Sequence, residues 1–336
     1  MTAAARAGEA ALAPTPASPG ARAQTRALER RFGADDAFAL ALRLASLVVL
    51  AAIVLLFVET WRGATPALGH YGLGFLAGTD WDPVAERFGA LPYVYGTLVT
   101  SALALLVAVP FSIGSAVFLA EIAPPRLGGV VSFMIELLAS IPSIVYGLWG
   151  VFVLAPFLRT SVEPWLIAHL GFLPLFQGFP FGIGILPAGL VLAIMIVPTI
   201  TSISREILRA IPQSLRGAAL ALGATRSEAI GVTLDAARPG ILGAVILGLG
   251  RALGETMAVT MVIGNTNHIS LSLLSPGATM ASVIANEFTE AVGKLHLAAL
   301  FEVALVLFLV TLIVNAAARL IVLTTAGGRR DVAGAA

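Results

Sequence analysis

The sequence has no cysteine, a single lysine and little charge of either sign: 12% of its 336 residues are Asp, Glu, Lys or Arg, and the formal net charge is +1. Each shortage excludes something. Without cysteine there is no disulfide scaffold and no thiolate site for a metal or a redox couple. The four histidines, at 70, 169, 268 and 296, are scattered, so no metal and no cofactor is expected. Basic residues are spread along the chain rather than gathered into a stripe, which gives no reason to expect a nucleic-acid partner. A phosphate-cradling ATPase loop needs Gly, four residues, then Gly-Lys-Ser/Thr, so that backbone amides and the lysine converge on the phosphates. The lone lysine, Lys294, follows Gly293 but precedes Leu295, and Phe288 stands where the first glycine belongs. The chain is therefore expected to be no enzyme, with any driving energy supplied by a separate subunit or an ion gradient.

What the sequence has in excess is apolar surface. With 58% hydrophobic residues and a mean hydropathy of +0.95, it lies outside the range of soluble domains, and membrane lipid is its expected surrounding. A spanning helix needs about 20 mostly apolar residues, because each rises about 1.5 Å through a core about 30 Å thick. Six stretches qualify, at roughly 38–58, 97–119, 130–153, 181–203, 241–263 and 298–322. The run from Pro164 to Ser204 lacks Asp, Glu, Lys and Arg and is too long for one helix; Pro164, Pro174 and Pro180 favour an interfacial or re-entrant segment before the fourth span. Residues 1–37, rich in Ala, Pro and Arg, read as a disordered cytoplasmic tail. They are no secretory signal, since the apolar segment after them is too long and lacks a small-residue cleavage pattern.

Arginine and lysine are retained on the cytoplasmic side, so their distribution sets orientation. With both termini inside, fifteen of the twenty lie in inner segments, four (Arg62, Arg87, Arg159 and Lys294) lie outside, and Arg251 lies within a span. The membrane domain is thus expected over 38–323, with a second cytoplasmic tail at 324–336. The longest inner loop, about 204–240, is polar enough to leave the membrane yet helical in pattern, as a docking surface would be. Within it Ala218, Ala219 and Ala221 permit close approach to a partner, and Gly223 permits a sharp redirection of the backbone.

This loop resembles the signature loop of ABC importer permeases, whose Glu-Ala-Ala-x-x-x-Gly precedes a short helix that fits a groove of the ATPase. The matching positions are Gly217, Ala218, Ala219 and Gly223; Gly217 stands where the signature has Glu, and Asp235 follows Leu234 where it has Pro. The segments LPYVYGTL (91–98), SIPSIVYGLWG (140–150), RALGETMAVTMVIGN (251–265) and SPGATMASVIANEF (275–288) are similar to the C-type permease subunit of bacterial high-affinity phosphate ABC importers. The resemblance runs from about residue 35 to 322. It implies an all-α integral membrane protein of the six-helix type I importer (MetI-like) fold in the bacterial inner membrane. The implied partners are a second homologous permease, two ATPase subunits and a periplasmic phosphate-binding protein. Permeases for sulfate, molybdate or phosphonate share that architecture, and an ion-coupled secondary transporter is the alternative of a different class.

The fifth span carries the candidate route. A charge at mid-membrane costs about 2.5–3.5 kcal/mol even on lenient scales, so such residues mark a wet cavity or a bundle interior. In a continuous helix Arg251 and Glu255 lie about 40° apart and can pair on one face, beside a stripe of Gly243, Gly250 and Gly254 that admits close packing. The pairing reads either as a register-fixing ion pair or as an anion contact along the translocation path. In the second reading the guanidinium fork meets phosphate oxygens, and the carboxylate accepts a hydrogen bond from protonated phosphate, which sulfate cannot supply. Thr256, with Thr260 one turn on, either lines the route or bonds its own helix carbonyls. Glu136, inside the third span, reads as a gate or a bridge to a neighbouring hydroxyl, and Glu302 as a residue reaching the interface. Pro110, Pro142, Pro187 and Pro198 are candidate kinks.

Overall fold

The computed structural model describes residues 19–327, with side chains over 37–322. The chain divides at Glu59 into two compact units. The first contains most of α1 (Pro19–Tyr71), whose apolar side chains from Phe38 to Val58 are largely exposed. A helix apolar all round belongs in lipid or against another apolar body. The expected tail over 1–37 meets a helix that begins at Pro19, while residues 1–18 and the end of the expected C-terminal tail lie outside the described residues.

The second unit runs from Thr60. After the one-turn α2 (Gly74–Ala77), a short hairpin pairs β1 (Trp81–Asp82) with β2 (Arg87–Phe88), and Asp82 closes its turn by accepting the amides of Val84 and Ala85. Prolines then punctuate the helices. α3 (Leu91–Val117) starts with Pro92 in its first turn, where a missing N–H costs nothing, and ends in a π-helical turn, Phe118–Ile122. α4 (Pro125–Ser140) starts in the same way and stops at the extended Ile141-Pro142. Beyond it, α5 (Ser143–Trp149), α6 (Ala155–Phe157) and α7 (Glu163–Leu170) join through π-helical turns into one rod, Ser143–Leu170. Next come α8 (Ile185–Ala210), α9 (Gln213–Ala221), α10 (Arg226–Gly254), α11 (Met257–Val262), α12 (Met280–Glu287) and α13 (Lys294–Gly327).

Among the described residues, six helical rods are long and apolar enough to cross a membrane: 37–71, 91–122, 143–170, 185–210, 226–254 and 294–322. Their number and order match expectation; the first rod extends to Tyr71 rather than 58, the fifth starts at Arg226 rather than 241, and three further differences concern the third rod and the end of the fifth. The third rod starts at Ser143 rather than near 130, because Pro142 stops α4; at about 1.5 Å per residue, sixteen residues are too few to cross. The segment after Pro164 continues this rod to Leu170, and the irregular stretch is confined to 171–184. The fifth rod ends at Gly254, nine residues before the expected 263.

α8 is the most buried rod. Gly189 lets Leu103 of α3 lie against it, since a Cβ there would come within 2.5 Å of that side chain. Ser112 donates to the Val197 carbonyl (3.3 Å) and Thr201 to the Ser112 carbonyl (3.4 Å), bracketing Pro198. On its other side Ile200 fits against Gly248 of α10.

Candidate functional site

α10 begins with a full capping box, in which Glu228 donates its amide to Thr225 Oγ1 and returns a carboxylate to the Thr225 amide. It ends in the middle of the apolar stretch. Glu255 is extended (φ −70°, ψ 128°), and the chain restarts as α11 at Met257. The expected continuous fifth span is therefore broken at 255–256, and the 40° relation between Arg251 and Glu255 does not apply.

The two side chains consequently part. Arg251, in the last turn of α10 where a cation is favoured by the helix dipole, donates from Nη1 to Thr199 Oγ1 of α8 (3.3 Å). It is half-buried and forms no ion pair with a carboxylate among the described residues. Glu255 turns forward and accepts the Ala258 amide (3.2 Å), satisfying one of the free donors that open α11. Thr256 donates to the Gly254 carbonyl (3.3 Å) and Thr260 to the Thr256 carbonyl (2.7 Å), so both hydroxyl protons are used within their own segment.

The segment after the break packs on the third rod. α11 lies on α5 through Gly147, where a Cβ would come within 2.7 Å of Met261 Sδ, while Val262 fills the space beside Gly150. The expected glycine stripe does not pack this way. A Cβ at Gly243 or Gly254 would have nothing within 4 Å, and one at Gly250 would meet only Asn315, at 3.9 Å; the close-approach glycines of α10 are Gly240, against Ile207, and Gly248, against Ile200.

The signature segment forms a separate cluster. Gly217, Ala218 and Ala219 lie on α9, the first two exposed. Gly223, at φ +89°, reverses the chain after α9, a conformation glycine adopts without a Cβ penalty. Leu215, Leu220 and Leu222 remain exposed around the helix. Arg216 points inward, pairing with Glu121 at the end of α3 and donating to the Leu208 carbonyl (3.2 Å) and to Thr233 Oγ1 (3.4 Å). Sequence reasoning did not single out Arg216 or Glu121. Their only signal was charge at the ends of apolar runs, and 95 residues separate them in the chain.

Of the remaining candidates, Glu136 lies on α4 rather than in a span, and meets Arg205 of α8 at 3.5 Å; Arg205 also pairs with Glu206 at 2.6 Å. Glu302 does not reach an interface: it is 2% exposed within α13. Glu163, fully buried and overlooked in the sequence, accepts the Gly182 amide at 2.9 Å and so ties the 171–184 segment to its rod. At the hairpin end, Trp81 Nε1 and His296 Nε2 both approach Glu287 Oε2 at 2.8 Å, and Phe88 stacks on His296.

Comparison with known proteins adds identity to this geometry. Residues 108–325 match the family model described as "Binding-protein-dependent transport system inner membrane component". The phosphate transport system permease protein PstC of Mesorhizobium japonicum is 46% identical over 309 residues, covering 90% of this chain and 94% of that protein. The PstC protein of Xylella fastidiosa strain 9a5c is 48% identical over 295 residues, covering 86% and 91% respectively. Among solved structures, an inward-facing MetNI methionine ABC transporter chain aligns at a TM-score of 0.50 and 19% identity, covering 73% of this chain and 99% of that one, a likeness of fold. Six apolar rods and these matches make the protein a multi-pass membrane protein of the MetI-type permease fold. The chain belongs to the family of binding-protein-dependent transport system inner membrane components.

Proposed function

We propose that this protein is a permease subunit of an ATP-driven importer of inorganic phosphate, forming half of the translocation path beside a second, homologous permease. The assembly holds two ATPase subunits, one of which docks on α9 and its flanking turns, including Gly217, Ala218, Ala219 and Gly223, and a periplasmic phosphate-binding protein delivers the anion. Both termini are cytoplasmic. The likeness to PstC permeases over most of the chain supports the substrate class. One observation carries the site: Arg251 stands at a helix break inside the apolar region with a single hydroxyl partner and no paired carboxylate among the described residues.

A guanidinium has five N–H donors, and Thr199 engages one group of them. The rest can meet phosphate oxygens, which suit the planar fork. Glu255 and Thr256 shape the same break, and the Glu255 carboxylate retains acceptor capacity for a protonated phosphate beyond its bond to Ala258. The anion contact is transient, made and released as the route opens and shuts.

The test is uptake of labelled phosphate by cells carrying Arg251→Gln at unchanged membrane abundance. Uptake is expected to fall about tenfold or more, the scale of a charged hydrogen bond worth about 1.5–3 kcal/mol. Normal uptake at normal abundance would remove Arg251 from the route.

A further inference from the structure

We propose that Arg216 is the positioning residue that transmits movement of the ATPase-docking helix α9 to the spanning helices, with Glu121 as its buried counter-charge. The proposal rests on the importer reading above and adds to it the point at which force enters the bundle.

Arg216 is the side chain of α9 that reaches into the bundle, and its three partners belong to three different helices. Glu121, with 6% of its side chain exposed, lies in the π-helical turn that ends α3. The Leu208 carbonyl lies in the last turn of α8, and Thr233, fully buried, in the second turn of α10. Thr233 in turn donates to the Ala229 carbonyl at 3.0 Å, so its hydroxyl is oriented to accept from Arg216. The Glu121 contact is one of charge rather than of aligned hydrogen bonding.

These three helix ends already adhere below the arginine through a buried apolar cluster of Ala116, Leu208, Ala237 and Ile241. Apolar packing resists separation but is non-directional. A guanidinium hydrogen-bonded to α8 and α10 and ion-paired with the end of α3 also resists rotation and sliding. Displacing α9 therefore displaces α3, α8 and α10 together, unless the node breaks. Two of these, α8 and α10, carry Thr199 and Arg251, whose contact at 3.3 Å changes if the helices slide. The remainder of α9 offers a partner the exposed Leu215, Gly217 and Ala218, with Leu222 just beyond its end, so grip and transmission fall to different faces of one short helix.

The experiment uses the assembled complex in proteoliposomes and reads three quantities: ATPase subunit recovered with the permease, ATP hydrolysed, and labelled phosphate transported per ATP in the presence of the binding protein. Arg216→Gln and the double variant Glu121→Gln/Arg216→Gln are compared with wild type; the double variant leaves no buried charge unpaired. For the double variant, recovery and hydrolysis are expected within about twofold of wild type, while phosphate per ATP falls tenfold or more; Arg216→Lys, which keeps the charge without the fork, falls between. An unchanged ratio in the double variant overturns the proposal, as does loss of the ATPase subunit from it, which makes the pair a docking or folding feature. Absence of any ATPase subunit from the wild-type complex would instead overturn the importer reading itself.

Discussion

Arg216 and Arg251 are both partly buried arginines on helices that adjoin α8, yet they are treated in opposite ways. Arg216 has a carboxylate, a carbonyl and a hydroxyl, drawn from three helices. Arg251 has one hydroxyl, at 3.3 Å, and the carboxylate four residues on is turned toward another helix. Burying a charge is costly unless it is paired and hydrogen-bonded, and the Arg216 site meets that requirement within the chain. The Arg251 site leaves donors uncommitted, which a protein tolerates where water or a ligand completes the shell. The saturated arginine fixes geometry; on the function proposed above, the unsaturated one is kept for the anion.

The comparison is broken most directly at Arg251. Against the tenfold or greater loss expected for Arg251→Gln, Arg251→Lys is expected to recover part of the uptake, since it restores charge but not the fork. Full recovery would show that charge alone suffices and that the geometry of the unpaired donors is irrelevant. The next effect falls on the scaffold. Gly248→Val drives a side chain into Ile200, where even a Cβ would lie within 2.7 Å, and overpacking of this kind costs about 1–3 kcal/mol. The purified protein is expected to melt at a lower temperature, and to lose uptake in proportion to folded protein. Uptake lost without a change in melting would mean that the α8–α10 spacing serves transport alone.

Glu255→Gln separates the two jobs assigned to that side chain. The amide oxygen still accepts from Ala258, so melting is expected to stay at the wild-type temperature. Uptake is expected to fall about fivefold, or about 1 kcal/mol, through loss of a charged acceptor. If uptake is unchanged, Glu255 is only the cap of α11, and the contrast between the arginines rests on Arg251 alone.

The six rods were legible because apolar runs of membrane-spanning length are the strongest pattern a sequence carries. The two misplaced breaks had unequal signals. Pro142 was available to end α4, and its effect follows from the clash of a proline ring with the preceding residue. The break at Glu255 has no proline, and the apolar run continues through α11, where Met261 packs beside Gly147 of α5 and Val262 beside Gly150 of the turn that follows. In the candidate site Arg251 stood out because charge is rare in such a run. Its partner Thr199 lies 52 residues earlier, and Arg216 lies 95 residues from Glu121. Pairings at those separations are products of the fold, and one sequence read alone contains no trace of them.

The smallest expected effect, and the finest probe of the contrast, is Thr199→Val. Valine keeps the shape of threonine and removes the oxygen that Arg251 Nη1 meets, so α8 should pack as before and Ile200 should still fit Gly248. The loss is one hydrogen bond, worth about 0.5–1.5 kcal/mol. If the hydroxyl holds the guanidinium ready for phosphate, half-saturation of uptake moves to about two- to tenfold higher phosphate, with melting unchanged. If it instead competes with the anion for the same donors, half-saturation moves the other way. Either shift keeps Arg251 as an arginine poised for a visitor; no shift at all would mean that its hydroxyl partner has no bearing on transport, and that the difference from Arg216 is one of burial rather than use.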